Sequence, residues 1–438
     1  MIRILSLMIF LVWTSLLAPV FAADLAPWDD PVLVTPPKVE WTDPIGPDFT
    51  AVYENVPYKG KMARVLAYYS VPASYTGKLP VMVLVHGGAG MAFPQWTKQW
   101  ASYGYAAIAM DLGGATTPSP DGRPWDSDNF NVVGTIPDKD TWYYHAAAAV
   151  IRAISLVAAR PEVDTTRIGI MGISWGGFLT SIVSGVDKRL ALAVPVYGCG
   201  YIQEVSYWAP ITNQAYLSKF DPALYLPNAT LPMLWLNGPS DITYPMIIHR
   251  KSYRLPQGPV TVSIHNPLPH DYNSAWGLTE PRAFVDSYFK GGKALPKIKT
   301  WGWDKTSSWA TYESPTTIIK AELIYTTDAE PWKNFKTLIW QAQAATVLTN
   351  ENRVQAKVPA NATVHYLALT DSRNLLVSSQ HVDLTLDSAS GTRTTDIPVS
   401  VSGRSAKRHR TAHKAKIGGL SGDFDFIGRR FPAPMIRP

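Results

Sequence analysis

The pentapeptide Gly172-Ile173-Ser174-Trp175-Gly176 follows directly on the apolar run Arg167-Ile168-Gly169-Ile170-Met171. This is the pattern of a buried strand turning sharply into a helix with a serine at the tip. Such a turn needs strained backbone angles and close strand–helix packing, and the small residues at 172, 176 and 177 relieve the clashes. Glycine and serine are common in ordinary turns, so the pentapeptide alone is a weak signal. Its surroundings strengthen it. Upstream, the apolar residues 81–85 run into His86-Gly87-Gly88-Ala89-Gly90, and downstream an aspartate and then a histidine stand in loops of the right kind.

Those loops follow from the pattern of the chain. Residues 81–85 are continuously apolar, as expected of a strand buried on both faces of a parallel sheet. Residues 64–72, 105–110, 167–173, 190–197, 231–236 and 260–264 read as further strands. Residues 141–159, 245–253 and 280–290 read as helices, and Arg160-Pro161 ends the first of them. Strands alternating with helices predict a doubly wound, mostly parallel sheet. Residues 24–50, rich in proline and aspartate, read as an irregular leader. The pattern changes near residue 296. Beyond it, short β-like segments at 318–325, 337–341, 353–358, 363–369 and 375–379 are separated by turn residues, which predicts a small all-β sandwich. The expected organisation is therefore a signal segment at 1–22, a catalytic α/β domain at 23–295, a linker at 296–299, a β-sandwich accessory domain at 300–390 and a polar tail at 391–438 expected to be disordered.

A serine hydroxyl is a weak nucleophile until a base takes its proton, and the base must be an imidazole oriented by a buried carboxylate. His270 lies in the loop after residues 260–264, and Asp241 lies in the loop after residues 231–236. The order Ser174, Asp241, His270 is that of the α/β-hydrolase fold. Other candidates are His265 and His249 as base, and Glu204 and Asp221 as acid; Asp271 reads as a local cap. A tetrahedral intermediate needs amide donors aimed at its oxyanion. The N–H of Trp175 is one candidate, and Gly88 or Ala89 in the glycine-rich loop supplies the other. The aromatic residues Trp125, Trp142, Tyr143 and Trp208 fall in or beside long insertions and are candidates for stacking on substrate, although such rings also fill cores.

Composition narrows the class further. The histidines are scattered, with no H-E-x-x-H and no cysteine pair, so no metal is expected; no nucleotide-binding glycine pattern is present, so no cofactor is expected either. The net charge of +6 is misleading as a sign of nucleic-acid binding, because residues 391–438 alone hold ten Lys/Arg against three acids. The body of the chain is close to neutral, and no nucleic-acid partner is expected. Arg3, the mostly apolar residues 4–17 and Val20-Phe21-Ala22 read as a secretory signal cleaved after Ala22. No second stretch is long enough to span a membrane. The expected location is secreted or periplasmic, with no membrane contact after cleavage. The single cysteine, Cys199, forms no intramolecular disulfide and reads as a buried structural thiol.

The motifs His86–Gly90, Gly172–Phe178, residues 194–200 and residues 237–241 together resemble exported bacterial α/β-hydrolases of the acetyl xylan esterase-like, dienelactone hydrolase-like and prolyl oligopeptidase-like groups. The resemblance covers roughly residues 50–295, and less specifically 300–386. It implies a Ser174–His270–Asp241 triad acting through an acyl-enzyme on a small-molecule ester or an acylated polysaccharide. A serine peptidase of prolyl oligopeptidase type normally carries a β-propeller before its hydrolase domain, for which some forty residues leave no room. A non-catalytic carbohydrate-binding protein on the same fold would have no need of an intact triad.

Overall fold

The structure is a computed structural model and describes residues 27–42, 46–88, 90–112, 133–205, 213–333 and 338–394. In chain order the first unit runs α1 (Pro31–Val34), β1 (Val39–Trp41), β2 (Asp48–Tyr58), β3 (Lys61–Ser70), β4 (Leu79–Val85), α2 (Pro94–Ser102), β5 (Ala106–Met110), α3 (Trp142–Ala158), β6 (Val163–Ile173), α4 (Trp175–Val186), β7 (Leu190–Val196), α5 (Gln214–Leu217), β8 (Met233–Asn237), α6 (Met246–Tyr253), β9 (Val260–Ile264), α7 (Tyr272–Trp276) and α8 (Glu280–Phe289). The sequence pattern placed most of these. It placed β3 at residues 64–72 but missed β1 and β2, since residues 24–50 read as irregular; Thr50, Val52 and Glu54 alternate with buried Ala51 and Tyr53, but proline-rich flanks hide the period.

The nine strands form one sheet in the order β1-β2-β3-β5-β4-β6-β7-β8-β9. The first three ladders, β1/β2, β2/β3 and β3/β5, are antiparallel. From β5 to β9 every ladder is parallel. All seven residues of β4 and all five of β5 and β8 are buried, as strands covered by helices on both faces must be. The parallel strands share one direction, so the loops after β4, β6, β8 and β9 open at one end of the sheet. This is the α/β-hydrolase architecture.

The remaining strands are β10 (Lys297–Trp303), β11 (Ser307–Glu313), β12 (Ile318–Thr326), β13 (Gln341–Ala344), β14 (Thr346–Leu348), β15 (Arg353–Lys357), β16 (Val364–Asp371), β17 (Leu376–Ser378), β18 (Val382–Asp383) and β19 (Gly391–Thr394). They build two antiparallel sheets, β14-β15-β11-β10-β19 and β13-β12-β16-β17, with β18 also on β16. Alternation is clear in β11, where Ser308, Ala310 and Tyr312 point inward. Two boundaries differ from the sequence reading. Residues 297–299, read as a linker, begin β10, because Lys297 and Ile298 pair with Glu313 and Tyr312. Residues 391–394, read as part of the tail, pair with β10 as β19.

The outer edge of β9 would be a bare row of main-chain groups. Instead, hydroxyl side chains stitch it to β17. Ser378 Oγ accepts the Ile264 N–H at 2.9 Å, and Ser263 Oγ donates to the Leu376 carbonyl at 2.8 Å. Glu280 takes the Leu376 N–H at 2.8 Å, and the buried pair Arg250–Asp387 closes at 2.6 Å. Ending the chain at residue 295 strips all of these from β9 and α6. That truncated chain should elute from size exclusion as aggregate where the full chain gives a discrete species; a monodisperse truncation would show that β9 needs no cover.

Three histidines sit near this junction. Burial pushes His249 and His365 down to about 3 and about 4. His381 is also lowered, by burial first and then by Arg250 and Arg254. Each is neutral in the fold, whereas the unfolded chain takes up protons near pH 6.5. Their contribution to stability is complete above pH 6.5 and is lost as pH falls from 6.5 towards 4, at up to about 1.4 kcal/mol per pH unit for each. Asp221, raised to about 6 by burial, acts in the opposite sense between 6 and 3.8 and offsets part of the loss. Unfolding free energy in urea should therefore decline from pH 7 to pH 5, and His365→Leu should flatten the decline. A flat profile for the native chain would contradict this account.

Candidate active site

The site is built at the tip of β6. Ser174 has φ +57° and ψ −119°, a conformation L-residues rarely adopt. It is held there by packing. A Cβ on Gly172 would overlap the Gly176 carbonyl, and a Cβ on Gly176 would overlap the Val85 carbonyl of the neighbouring strand. Only glycine lets α4 begin this close to β4. The Ser174 N–H donates to the Val196 carbonyl at 2.9 Å, which pins the turn to β7 as well.

His270 follows β9 and brings its ring to the serine. Ser174 Oγ lies 2.9 Å from His270 Nε2, and His270 Nδ1 lies 2.7 Å from Asp241 Oδ2. Asp241 follows β8, and its side chain is fully shielded from solvent. Its second oxygen, Oδ1, accepts the N–H groups of Thr243 and Tyr244, each at 2.8 Å. That leaves Oδ2 for the imidazole and fixes the carboxylate plane. With Nδ1–H donating to Asp241, Nε2 is free to accept the serine proton. Ser174 itself is 7% exposed.

The alternatives named from the sequence lie elsewhere. His265 Nε2 is 3.0 Å from Ser263 Oγ and 3.6 Å from Glu280, towards β17. His249 is buried against Trp235 and Tyr253. Asp221 accepts main-chain N–H groups of Tyr201 and Ala223, and Glu204 pairs with Lys251. Asp271 caps α7 through the Ser274 N–H. Cys199 is fully buried, and burial pushes its thiol up, as expected of a structural thiol.

The aromatic candidates divide. Trp125, Trp208 and Ala89 lie outside the described residues. Trp142 and Tyr143 open α3 and are buried, at 2% and 0% exposure. The sequence reading placed them at the mouth of an insertion; instead they pack below the elbow. Trp142 meets Trp175 at 5.6 Å, and Tyr143 stacks on Phe220 at 5.3 Å. Neither offers a ring face to a ligand. Gly88 is partly exposed at the end of β4, beside the elbow.

Sequence reasoning missed three supporting residues. His86 accepts the Leu112 N–H at Nε2 (3.0 Å) and donates from Nδ1 to the Gly87 carbonyl (2.6 Å), which shapes the glycine-rich loop. Tyr197, at φ +63°, packs its ring 4.6 Å from His270 and donates to the Pro269 carbonyl at 2.8 Å. Tyr272 reaches back over the loop after β4. Only the position of Tyr272, two residues beyond His270, was a signal in the sequence. Among the described residues no group of metal-ligating side chains comes together, and no helix is long and apolar enough to cross a membrane.

The sheet order, the strained serine and the placement of Asp241 and His270 on later loops are those of the α/β-hydrolase fold. The acetyl xylan esterase (AXE1) family matches residues 45–215, a stretch that contains the elbow and stops before Asp241 and His270. The acetyl esterase Axe7A of Xylanibacter ruminicola is 27% identical over 140 residues, 30% of this chain and 31% of that protein, so the match spans under a third of the relative. Among solved structures, the acetyl xylan esterase from Paenibacillus sp. R4 is 25% identical at a TM-score of 0.51, covering 59% of this chain and 92% of that one. Acetyl xylan esterase 1 from Thermoanaerobacterium sp. JW/SL YS485 is 19% identical at a TM-score of 0.48, covering 57% and 88%. The chain thus resembles the acetyl xylan esterases, as its motifs imply.

Asp241→Asn keeps the size of the side chain but removes its charge and presents an amide to His270. It should lower kcat about 10²- to 10⁴-fold while the melting temperature changes little. Activity lost instead with Asp221→Asn, and retained with Asp241→Asn, would move the acid role to Asp221.

Proposed function

We propose that this protein is a serine carboxylesterase acting on short acyl esters, acetyl groups on carbohydrate being the favoured substrate. The observation that carries the reading is the continuous chain Ser174–His270–Asp241 at 2.9 and 2.7 Å, with its acid buried. The likeness to acetyl xylan esterases supports the choice of ester over amide.

In this reading Ser174 Oγ attacks the ester carbonyl as its proton passes to His270 Nε2. Asp241 stabilises the imidazolium without itself being protonated. The Trp175 N–H and the loop at Gly88 and Ala89 hold the oxyanion. Collapse breaks the carbonyl–alkoxy bond, and His270 returns its proton to the leaving alcohol. Water then repeats the sequence against the acyl-enzyme, releasing the acid and restoring Ser174. The first unit (23–295) carries the whole of this chemistry, and the β-rich unit (300–390) is accessory to it. Residues 1–22 act as an export signal, so the enzyme works outside the cytoplasm on an exposed polymer or its fragments.

The test is hydrolysis of p-nitrophenyl acetate, p-nitrophenyl butyrate, acetylated xylan and a Gly-Pro anilide. Acetate release from the first and third is expected, with the anilide inert. Ser174→Ala should lower kcat by about 10⁴-fold or more, since only oxyanion and binding effects survive. A variant that releases acetate at a near-native rate would remove Ser174 from the chemistry, and preferential cleavage of the anilide would make the protein a peptidase.

A further inference from the structure

Tyr272 is the first residue of α7 and follows the base by two positions. Its backbone is set by the cap from Asp271, whose Oδ1 accepts the Ser274 N–H at 2.8 Å. Its ring is clamped. Phe93, from the loop that follows Gly90, meets it edge-on at 4.9 Å, and Trp276 lies at 5.8 Å on the other side. The ring therefore points the hydroxyl in one direction, onto the turn closed by the Gly90 N–H and the Gly87 carbonyl.

The glycines of that turn show how tight the fit is. A Cβ on Gly87 would stand 2.9 Å from Ser174 Cβ and 3.1 Å from the Tyr272 hydroxyl oxygen. One methyl-sized point is thus within about 3 Å of both the nucleophile's side chain and the phenol. A Cβ on Gly90 would overlap the same hydroxyl. Gly90 is therefore required first by a tyrosine from another loop, whereas Gly87 is required by the Ile173 carbonyl and Ser174, with the Tyr272 hydroxyl next nearest.

The hydroxyl is buried, yet it has no hydrogen-bond partner among the described residues. The Gly87 N–H faces its oxygen without hydrogen-bond geometry. Among the described residues nothing accepts the phenol proton. Burial holds the group well above the ordinary tyrosine range, so the proton stays in place at any working pH. A buried donor without an acceptor calls for an explanation, and here the position beside Ser174 supplies one. We propose that the Tyr272 hydroxyl is a third donor to the oxyanion, added by the histidine loop to the main-chain N–H groups of the elbow and the glycine-rich loop. In the resting enzyme its proton has no partner among the described residues; in the tetrahedral intermediate it gains a charged one. The interaction is then stronger in the transition state than in the ground state, which is the condition for raising kcat and not merely lowering KM.

The proposal rests on the serine-hydrolase reading above, so the experiment separates the two. Native protein, Ser174→Ala and Tyr272→Phe are reacted with an alkyl fluorophosphonate, which forms a tetrahedral adduct on an activated serine. Labelling of the native chain but not of Ser174→Ala is expected, with Tyr272→Phe labelled about 10²-fold more slowly. On p-nitrophenyl acetate the same variant should lose kcat by a similar factor with KM within two-fold and an unchanged melting temperature. A purely structural tyrosine would shift the melting temperature or KM instead. Gly90→Ala, whose methyl would overlap the hydroxyl and also crowd His86 Nδ1 and the Gly87 carbonyl, should show at least the same kcat loss and serves if Tyr272→Phe fails to fold. Labelling of either variant at the native rate overturns the role of Tyr272 and leaves the serine reading standing. A native chain that is not labelled overturns both.

Discussion

Gly176 stands against the Val85 and His86 carbonyls with no room for a side chain, and the geometry of the site follows from that contact. β4 and β6 are neighbours in the sheet. Bringing the first turn of α4 onto the end of β4 puts the residue after the nucleophile beside the loop that leaves β4. The two loops can meet at one point only at that separation; a methyl group at 176 would force the helix off the strand. The cost is the unusual backbone of Ser174, of the order of 1–3 kcal/mol. Against it, α4 buries Trp175, Phe178, Leu179, Ile182 and Val183, each worth about 1.5–3 kcal/mol. Packing wins by a wide margin, so the serine can be held in a strained turn without placing the fold at risk.

The position of the imidazole depends on a longer chain of support. His270 hangs from β9, the last strand of the sheet, and an edge strand is the part most ready to fray. Its outer main-chain groups are taken by Ser378 and its inner ones by β8. The second unit thus braces the strand from which His270 hangs. The contacts differ in worth. Arg250 and Asp387 are mostly buried, so removing Asp387 leaves Arg250 without its counter-charge, while removing Arg250 leaves Asp387 with only Arg393 at 3.3 Å. Lys333–Glu330 and Arg282–Asp286 are largely exposed pairs whose contribution is small. What joins the units is the buried polar seam along β9 and α6, not the surface charges.

How much of this could be read from the sequence depended on the length scale of each feature. β4, β6 and β8 were legible because continuous burial needs a continuous apolar run, and Ser174, Asp241 and His270 because their loops follow such runs. Legibility failed where the partner was distant in sequence. Lys297–Lys299 look like a linker until Glu313 and Tyr312 pair with them. Trp142 and Tyr143 look like ligand-binding rings until α3 is seen to carry them under Trp175. Tyr197, at positive φ, gives no sign of its conformation, since tyrosine does not prefer that angle.

The histidine loop shows why such late contacts matter for chemistry. An imidazole on a surface loop would sample many orientations, and a small misplacement of the base is costly in rate. Here two rings restrict it. Tyr197 packs at 4.6 Å and Tyr244 lies nearly parallel at 6.1 Å. The Tyr197 hydroxyl holds the Pro269 carbonyl immediately before His270, while Asp241 draws on the Tyr244 N–H to fix its own plane. Tyr244 thus orients the acid through its backbone and flanks the base with its ring. Asp241, His270 and the two tyrosines are set by one another, and they come from the ends of three neighbouring strands: Tyr197 after β7, Asp241 and Tyr244 after β8, and His270 after β9. The parallel sheet makes this possible, because it delivers all four to the same end of the molecule.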